Sequence, residues 1–414
     1  MWPVLPREMD AAVRRNTLVL AACLALVWAV IQLAMSVASI TMEALTGVPE
    51  LVGIPPAVVI LAFGSATIPA GRYMDRRGRM PGIALGFLAA LAGALVTFVA
   101  VLAGQALLFL VGLAGLGAGV GVVTLARAGA ADMYPPERRA GGVGLVLFGA
   151  AVGALAAPFA FGPLLRLSGS DALRLPWLAA AALLGVGWLV TRLVRVDPIE
   201  IARATGAPRD AAAPLPVARS LVEIFSRPAS RAAAAGIVGS QLVMAALMSL
   251  VAVEMHHRGH ELTEISFTLA AHFVGMFALA PVVGLIVDRT GRRPSLLIGL
   301  VVIGMAAVSL PYAGSTAVLA AGMLALGMGW NVSFVAGTAL LADATEPGER
   351  GKALGAIDLA NSVGTAAVVT ILGAVLGAIG FSAVVVVALI LLAGPFAFVL
   401  TGLRRVAGAE AAGS

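Results

Sequence analysis

The chain has 414 residues, of which 60% are hydrophobic and only 12% are charged, and its formal net charge is +6. A mean hydropathy of +1.02 excludes a soluble globular domain of this length and indicates a polytopic membrane protein. The single cysteine, Cys23, excludes a disulfide or a thiolate metal site within one chain.

Twelve apolar runs are long enough to cross the hydrocarbon core as helices, which takes roughly 20 residues each. None alternates polar and apolar residues as a barrel strand does. The sequence therefore predicts an all-α integral membrane protein with 12 transmembrane helices. The predicted spans are Leu18 to Ile40, Val52 to Ala70, Gly82 to Leu102, Leu107 to Ala131, Gly141 to Leu165, Leu175 to Val194, Ala232 to Met255, Ser266 to Val287, Ser295 to Tyr312, Thr316 to Leu341, Leu354 to Ile379 and Ser382 to Leu403.

Lysine and arginine are concentrated in the tails and loops on one side of these runs, whereas the opposite loops hold only Arg166, Arg174 and Arg258. By the positive-inside rule, both termini are expected on the cytoplasmic side of the cytoplasmic (inner) membrane. The first run is too long for a signal-peptide core, so we expect an uncleaved helix. The positive charge then reflects topology and contact with anionic lipid headgroups, and it does not imply a nucleic-acid partner.

A charged loop occurs twice, after the second and the eighth run. Its first copy reads G-R-Y-M-D-R-R-G-R and its second copy reads G-L-I-V-D-R-T-G-R, so both match G-x-x-x-D-R-x-G-R. The duplication indicates that the second half of the chain repeats the first. The residues of this motif, which are the candidate gating residues, are Gly71, Asp75, Arg76, Gly78, Arg79, Gly284, Asp288, Arg289, Gly291 and Arg292.

A second repeat has nearly the same spacing. An acidic residue followed by proline and Glu-Arg occurs from Asp132 to Arg138, after the fourth run, and from Asp343 to Arg350, after the tenth. Between Arg195 and Ser230 the hydropathy falls in a stretch rich in proline and charge. These features predict an N-terminal six-helix bundle at residues 1–194, a cytoplasmic linker at 195–230 and a C-terminal six-helix bundle at 231–414.

Together, the doubled loops and the six-plus-six arrangement resemble the major facilitator superfamily across essentially the whole chain, and in particular its 12-helix drug/proton antiporter branch. The resemblance implies two pseudo-symmetric six-helix bundles, a central cavity at the bilayer midplane and alternating access by rocking. It also implies that the first, fourth, seventh and tenth helices line the cavity. A monomer is expected, because the cavity of such a fold lies inside one chain.

Asp75 and Asp288 are each expected at the C-terminal, partly negative end of a helix, where a carboxylate is disfavoured. The neighbouring arginines could offset this, or the positive N-terminal end of a helix from the other half could do so. The resemblance favours the second explanation, with contacts near Gly351 for Asp75 and near Gly141 for Asp288. We interpret the loops as a cytoplasmic latch that stabilises the outward-open state by about 1 to 3 kcal/mol. Simple anchoring of the loops in the interface is the alternative.

The fifth run approaches the G-x8-G-x3-G-P-x-x-G-G motif of the superfamily's antiporters, although Ala157 and Phe161 stand where the motif has glycines. A proline here bends the helix, and a glycine face lets it pack closely. The match favours export over import. The matching residues are Gly144, Gly153, Pro158 and Gly162.

Two ionisable residues inside the apolar runs are candidates for proton coupling, because such groups are costly in hydrocarbon and tend to line pathways. Asp358 lies in the eleventh run, with Asn361 on nearly the same face. Arg127 lies towards the cytoplasmic end of the fourth run, whereas Val111 stands where the drug-antiporter pattern has an arginine. The alternative is that Asp358 is only a structural partner of Arg127 or of the cytoplasmic loops.

Sparse polar and adaptable apolar side chains on the first, seventh, eighth and tenth runs are the candidates for substrate binding. His272 could carry a proton or bind substrate, or it could hydrogen-bond a backbone carbonyl. The scarcity of buried charge favours a weakly polar or lipophilic substrate. The candidate substrate-binding residues are Gln32, Met35, Gln241, His272, Asn331 and Phe334.

All four histidines fall between residues 256 and 272, beside several glutamates. This density suits a transition metal, with His256, His260 and Glu264 as ligands. However, Arg258 interrupts the group and no fixed ligand spacing is met, so we predict no resident metal and no cofactor.

The sequence lacks the G-x-x-x-x-G-K-[ST] motif of ATP-driven pumps and any catalytic constellation at a membrane surface, so an enzyme is not predicted. The predicted function is secondary active transport of a small organic molecule, by proton-coupled efflux. A nutrient importer, a divalent metal-ion transporter that uses the 254–272 cluster, and a transporter-like sensor are the alternatives.

Overall fold

The computed structural model describes residues 7–48, 51, 54–165, 170–205, 219–260 and 262–412. Within these ranges the secondary structure is helical, and no strand occurs. The prediction of an all-α membrane fold is confirmed. The α-helices are α1 (Arg7–Thr46), α2 (Ile54–Arg77), α3 (Arg79–Ala103), α4 (Ala106–Thr124), α5 (Ala126–Met133), α6 (Arg139–Leu165), α7 (Ser170–Thr191), α8 (Pro198–Thr205), α9 (Leu221–Ser226), α10 (Pro228–His257), α11 (Leu262–Phe273), α12 (Ala280–Thr290), α13 (Arg292–Ser309), α14 (Thr316–Ala344), α15 (Pro347–Ile379) and α16 (Phe381–Ala412).

Eleven segments of the described chain are long and apolar enough to span a membrane, and the bent pair formed by α11 and α12 brings the number to as many as 12. They coincide in order with the twelve predicted runs. Most helices extend beyond the predicted spans, because the helical hydrogen bonding continues into the charged ends of the apolar runs.

Each copy of the charged loop is a single glycine between two helices. Gly78 joins α2 to α3 with a φ of 110°, and Gly291 joins α12 to α13 with a φ of 90°. Residues with a Cβ rarely adopt these values. The glycine therefore lets the chain reverse sharply and places an aspartate and an arginine on either side of the same turn.

The fourth predicted span is broken in the structure at Leu125, between α4 and α5. At the break the backbone bonds run to the third residue back: Leu125 N–H donates to Val122 O at 3.2 Å, and Ala128 N–H donates to Leu125 O at 2.8 Å. The Thr124 hydroxyl also donates to the Gly121 carbonyl at 2.7 Å. Such side-chain competition disturbs helical hydrogen bonding, and periodicity alone did not predict it.

The eighth predicted span is bent by 49° at Leu279. A π-helical turn from Val274 to Ala278 precedes the bend, and Pro281 lies in the first turn of α12. Because proline lacks an N–H, it cannot continue the hydrogen bonding of α11. The sequence contains this proline, yet hydropathy alone predicts one continuous span here.

The chain divides into two compact units. The first comprises Met1–Tyr134, Gly149–Arg219 and Pro347–Ser362, and the second comprises Pro135–Phe148, Ser220–Glu346 and Val363–Ser414. Thus α6 and α15 each contribute to both units. The division of the sequence at a linker of residues 195–230 remains a prediction.

Candidate functional site

Asp75, in the last turn of α2, binds the N-terminus of α15. Its Oδ1 accepts from Gly351 N–H and its Oδ2 accepts from Lys352 N–H, both at 2.9 Å. Arg79 Nη1 also donates to Asp75 Oδ1, at 2.6 Å. The positive end of α15 and the guanidinium together offset the unfavourable position of the carboxylate at the C-terminus of its own helix. The contact lies where the sequence predicted it.

Arg79 connects this aspartate to two further groups. Its Nε donates to Asp132 Oδ2 at 2.7 Å, and its Nη2 donates to the Pro347 carbonyl at 2.6 Å. Arg350 Nη1 donates to the other oxygen of Asp132 at 2.6 Å. We call Asp75, Arg79, Asp132 and Arg350 the Asp75 cluster. Two carboxylates and two guanidiniums balance in charge, so removing one member leaves a buried charge without its partner.

Asp288, in α12, repeats this geometry at the N-terminus of α6. Its Oδ1 accepts from Ala140 N–H at 3.1 Å and its Oδ2 accepts from Gly141 N–H at 2.7 Å. Arg292 Nη1 donates to Asp288 Oδ1 at 2.7 Å, and its Nε donates to Asp343 Oδ2 at 3.2 Å. The predicted contact near Gly141 is therefore present as well.

Two further bonds complete the second copy. Arg139 binds Asp343, as Arg350 binds Asp132, and Arg292 donates to the Pro136 carbonyl, as Arg79 does to Pro347. We call Asp288, Arg292, Asp343 and Arg139 the Asp288 cluster. Each cluster lies within one compact unit. The duplicated sequence thus gives two matching charge networks.

The two clusters differ in burial. The side chains of Arg79 and Asp132 are both 0% exposed, whereas those of Arg292 and Asp343 are 11% and 29% exposed. Water and salt screen partly exposed charges more than buried ones. The interactions of the Asp75 cluster should therefore be the stronger.

Glycines allow the helices of both clusters to approach closely. A methyl group added at Gly71 would overlap the backbone at Gly351, and one added at Gly284 would lie 2.5 Å from the Ala140 carbonyl oxygen. The first glycine of each motif is therefore required for contact between α2 and α15 and between α12 and α6.

Arg76 and Arg289, two of the predicted gating residues, lie outside the clusters. Both side chains are exposed, and neither makes a hydrogen bond or ion pair in the described part of the chain. Each lies about 100° around the helix from the aspartate before it, on an exposed face.

The sequence analysis missed two residues of the predicted linker that bind next to the Asp75 cluster. Arg219 donates from its backbone N–H and its Nε to Glu349 Oε1, at 2.9 and 2.8 Å, and Lys352 donates to the Arg219 carbonyl. Asp197 accepts from Arg79 N–H at 3.0 Å and from Met80 N–H at 2.8 Å. Asp197-Pro198 is a typical helix start, but its second role as a cap for α3 has no local signal.

Replacing Asp197 by alanine should destabilise the protein by about 1 to 2 kcal/mol, because the first N–H groups of α3 lose their acceptor. Thermal unfolding of the purified protein would measure this. Asp10→Ala is the control, because within the described residues Asp10 makes only an exposed ion pair with Arg14 at 3.7 Å. Equal melting temperatures for the two variants would contradict the capping role.

The predicted proton-coupling residues meet inside the apolar part of the first unit. Arg127 Nη2 donates to Asp358 Oδ1 at 2.5 Å, and the two side chains are 4% and 6% exposed. Arg127 Nη1 also donates at 3.1 Å to the Thr124 carbonyl at the helix break. The other oxygen of Asp358 accepts no hydrogen bond from the described residues. This carboxylate can therefore take up a proton without displacing a second donor.

Two predicted substrate-binding residues, Gln241 and Phe334, pack with Phe277 and Trp330 in one aromatic group. Trp330 stacks on Phe334 with the ring centroids 4.7 Å apart and the planes 20° apart, and Phe277 packs edge-on to Trp330 at 5.7 Å. Gln241 Oε1 accepts from Trp330 Nε1–H at 2.7 Å. Asn331 follows Trp330 in α14. We call Gln241, Phe277, Trp330 and Phe334 the aromatic group.

His272 and Asn331 instead bind the backbone of neighbouring helices. His272 is fully buried, and its Nδ1–H donates to the Met323 carbonyl at 2.9 Å. Asn331 Nδ2 donates to the carbonyl of Gly275, in the π-helical turn, at 3.3 Å. His272 thus makes the backbone hydrogen bond that was the structural alternative for it.

The remaining predicted positions are partly described. Gln32 is half-buried on α1, and the side chain of Met35 lies outside the described residues. In α6, Gly144 abuts the Ala280 carbonyl and Gly153 abuts the Ala25 carbonyl, so no methyl group would fit at either position. For two further residues of the fifth-run motif, Pro158 and Gly162, the surroundings are also outside the described part.

The histidine-rich turn is organised by hydrogen bonds. His260 Nδ1 lies 3.1 Å from Glu264 Oε2, and the Thr316 hydroxyl donates to Glu264 Oε1 at 2.5 Å. Among the described residues, no three His, Cys, Asp or Glu side chains are grouped so that they could hold a metal ion. The side chain of His256 lies outside the described residues.

Comparison with known proteins places this geometry in context. The family model described as Major Facilitator Superfamily matches residues 17–261 and 232–412. The chain is 27% identical to the MFS-type transporter YdeG of Bacillus subtilis over 334 residues, which cover 78% of this chain and 77% of YdeG. It is 26% identical to the riboflavin transporter RfnT of Brucella anthropi over 347 residues, which cover 84% of this chain and 85% of RfnT. The fold is similar to that of the human organic anion transporter MFSD10 (TETRAN), with a TM-score of 0.76 at 16% identity, covering 94% and 99% of the two chains.

Proposed function

Because the chain belongs to the major facilitator superfamily, whose members move small substrates across membranes, we propose that it exports a small, weakly polar organic molecule in exchange for protons. The proposal includes a cytoplasmic membrane location with both termini in the cytoplasm. It also includes a monomer as the transporting species. The distribution of lysine and arginine supports the orientation.

Proton coupling is assigned to Asp358 and its partner Arg127. The observation that supports this most directly is the buried ion pair, in which one carboxylate oxygen accepts from Arg127 at 2.5 Å and the other has no donor among the described residues. Protonation of Asp358 would remove the ionic attraction and free Arg127 to change partners. A proton can thereby alter the contact of α5 with α15, which is the kind of coupling an antiporter needs.

The Asp75 and Asp288 clusters are assigned to gating. Each joins a helix end to the N-terminus of a second helix through backbone amides, so the contact exists only while those helix ends touch. Separation of these helix ends would leave Asp75 and Asp288 exposed and without the backbone amides that they bind. The clusters therefore favour the state in which the loop ends are closed.

Export is supported by the glycines of α6. Gly144 and Gly153 match the antiporter motif and lie against the Ala280 and Ala25 carbonyls. Close backbone contact at these positions stabilises a particular packing of α6, as small residues do in membrane helices.

Transport of a planar heteroaromatic nutrient is the second candidate. It is favoured because one relative is a riboflavin transporter and because three aromatic rings lie together beside the Gln241 amide. Stacking and a single amide would bind such a molecule without any buried charge.

Trp330→Ala should weaken the binding of an aromatic substrate and raise its KM about tenfold, since it removes the central ring of the aromatic group. Trp330→Phe is the matched variant, because it keeps a stacking ring and loses only the N–H that binds Gln241. Initial rates of transport over a range of substrate concentrations would give the KM of each variant. Unchanged KM in Trp330→Ala would exclude this group from substrate binding.

The proposed function is tested by flux in proteoliposomes, with riboflavin and the lipophilic aromatic dye ethidium as probes. An imposed pH gradient should drive movement of a transported probe, and collapsing the gradient with an ionophore should stop its accumulation. Binding of a probe without flux in either direction would favour a sensor over a transporter.

A further inference from the structure

A basic surface cavity of about 440 Å³ lies at the loop end of α2. It is lined by Pro69, Arg72, Tyr73, Arg76 and Arg77. Three arginine side chains contribute to this lining, mainly through their aliphatic carbons, and no carboxylate is among the lining residues. In the described part of the chain these arginines make no hydrogen bond or ion pair, so none of the described carboxylates neutralises their charge.

An apolar groove of about 330 Å³ continues from this cavity and shares Pro69 and Tyr73 with it. The groove runs between α2, α3 and α4, and small or aliphatic side chains line it. They include Ala66, Ala70, Leu85, Ala89, Ala118 and Val122. Leu85 is 49% exposed and Tyr73 is 39% exposed, so the groove opens to the outer surface of these helices. In a membrane that surface is covered by lipid.

The cavity and the groove occupy one face of α2, and the Asp75 cluster occupies another. Ala66, Pro69, Tyr73 and Arg76 follow a spacing of three and four residues, which places them along one stripe of the helix. The buried residues Gly71 and Asp75 face α15 instead. The exposed arginines are thus free to bind a ligand while the cluster remains intact.

We propose that this surface binds one anionic phospholipid, with its phosphate at Arg72, Arg76 and Arg77 and one acyl chain in the apolar groove. Guanidinium groups bind phosphate through paired N–H donors, and basic pockets between membrane helices recognise anionic headgroups. Tyr73 lies between the two parts, at the position where a tyrosine ring suits the boundary of headgroup and hydrocarbon. A free phosphate would leave the groove unused, so the surface fits a lipid.

The second copy of the motif differs at three of the four corresponding positions. The residues equivalent to Arg72, Tyr73, Arg76 and Arg77 are Leu285, Ile286, Arg289 and Thr290, so only one arginine remains. The lipid site is therefore not a necessary result of the duplicated gating motif. Arg289 provides a matched control.

The proposal is tested by native mass spectrometry of the purified full-length protein, titrated with dioleoylphosphatidylglycerol or dioleoylphosphatidylethanolamine. The wild type should bind phosphatidylglycerol more tightly than the neutral lipid. The double variant Arg72→Gln/Arg77→Gln should weaken phosphatidylglycerol binding about 30-fold, the equivalent of about 2 kcal/mol for two charges. Arg289→Gln should leave the affinity unchanged. Size-exclusion elution like that of the wild type shows that each variant is folded.

The proposed position of the acyl chain in the apolar groove is tested by a variant that keeps all three arginines. Ala66→Trp fills the apolar groove and should weaken binding of both lipids by at least about tenfold, since the chain loses its apolar contacts. Wild-type phosphatidylglycerol affinity in Ala66→Trp would overturn the groove assignment. Wild-type affinity in the double arginine variant, or an equal loss in Arg289→Gln, would overturn the headgroup assignment.

Discussion

Asp75→Asn should shift the resting equilibrium towards the state that is open at the loop end, by about 1 to 3 kcal/mol or roughly 5- to 150-fold. An asparagine side chain has one acceptor oxygen in place of two and carries no charge, so it cannot reproduce the separate acceptors of Gly351 N–H and Lys352 N–H. It also leaves Arg79 without one of its buried carboxylate partners. Both changes destabilise only the state that is closed at the loop end, because Asp75 contacts α15 only in that state.

The shift can be measured by maleimide labelling of a cysteine introduced at Ala353, which is 0% exposed, after Cys23 has been replaced by serine. The labelling rate should rise in proportion to the open population. Asp288→Asn is the paired variant, and because its cluster is more exposed it should give a smaller increase. Equal labelling rates in the wild type and Asp75→Asn, with folding intact, would exclude the latch.

Asp358→Asn should abolish transport driven by a pH gradient while substrate still binds. The asparagine cannot take up and release a proton, and it leaves the Arg127 guanidinium buried without its counter-charge. We expect gradient-driven flux to fall at least about 100-fold, as for loss of an essential proton-transfer group. Flux into proteoliposomes with an imposed gradient measures it.

Loss of folding would give the same result, so a second variant is needed. Removing one partner of a buried ion pair typically costs about 3 to 5 kcal/mol, whereas removing both charges is much less costly. Arg127→Gln/Asp358→Asn should therefore recover the thermal stability of the wild type and remain uncoupled. Gradient-driven flux in this stable double variant would rule out Asp358 as the proton carrier.

The sequence was sufficient to predict the features that depend on composition and repetition. Hydropathy predicted the membrane helices, and the doubled motif predicted the positions of Asp75 and Asp288. A carboxylate at a helix C-terminus needs a positive partner, but that argument left the neighbouring arginines as an alternative. The resemblance to the superfamily favoured the helix ends near Gly351 and Gly141. The equal spacing of the two repeats also indicated that their networks would match.

Features that depend on which helix faces another could not be read from the sequence. Arg79 and Arg292 became the centres of two networks, whereas Arg76 and Arg289, with the same charge, lie on the exposed face. Asp197 caps a helix that begins 118 residues before it. Likewise, His272 hydrogen-bonds to a backbone carbonyl and not to a polar side chain. Each outcome is decided by tertiary packing, which periodicity does not encode.

Simultaneous recording of substrate flux and internal pH in proteoliposomes tests the central claim most directly. With ethidium or riboflavin as the transported probe, the account predicts that substrate movement in one direction is accompanied by proton movement in the other, and that Asp358→Asn abolishes the proton signal. Sustained flux of the probe through the wild type with no change in internal pH would contradict it.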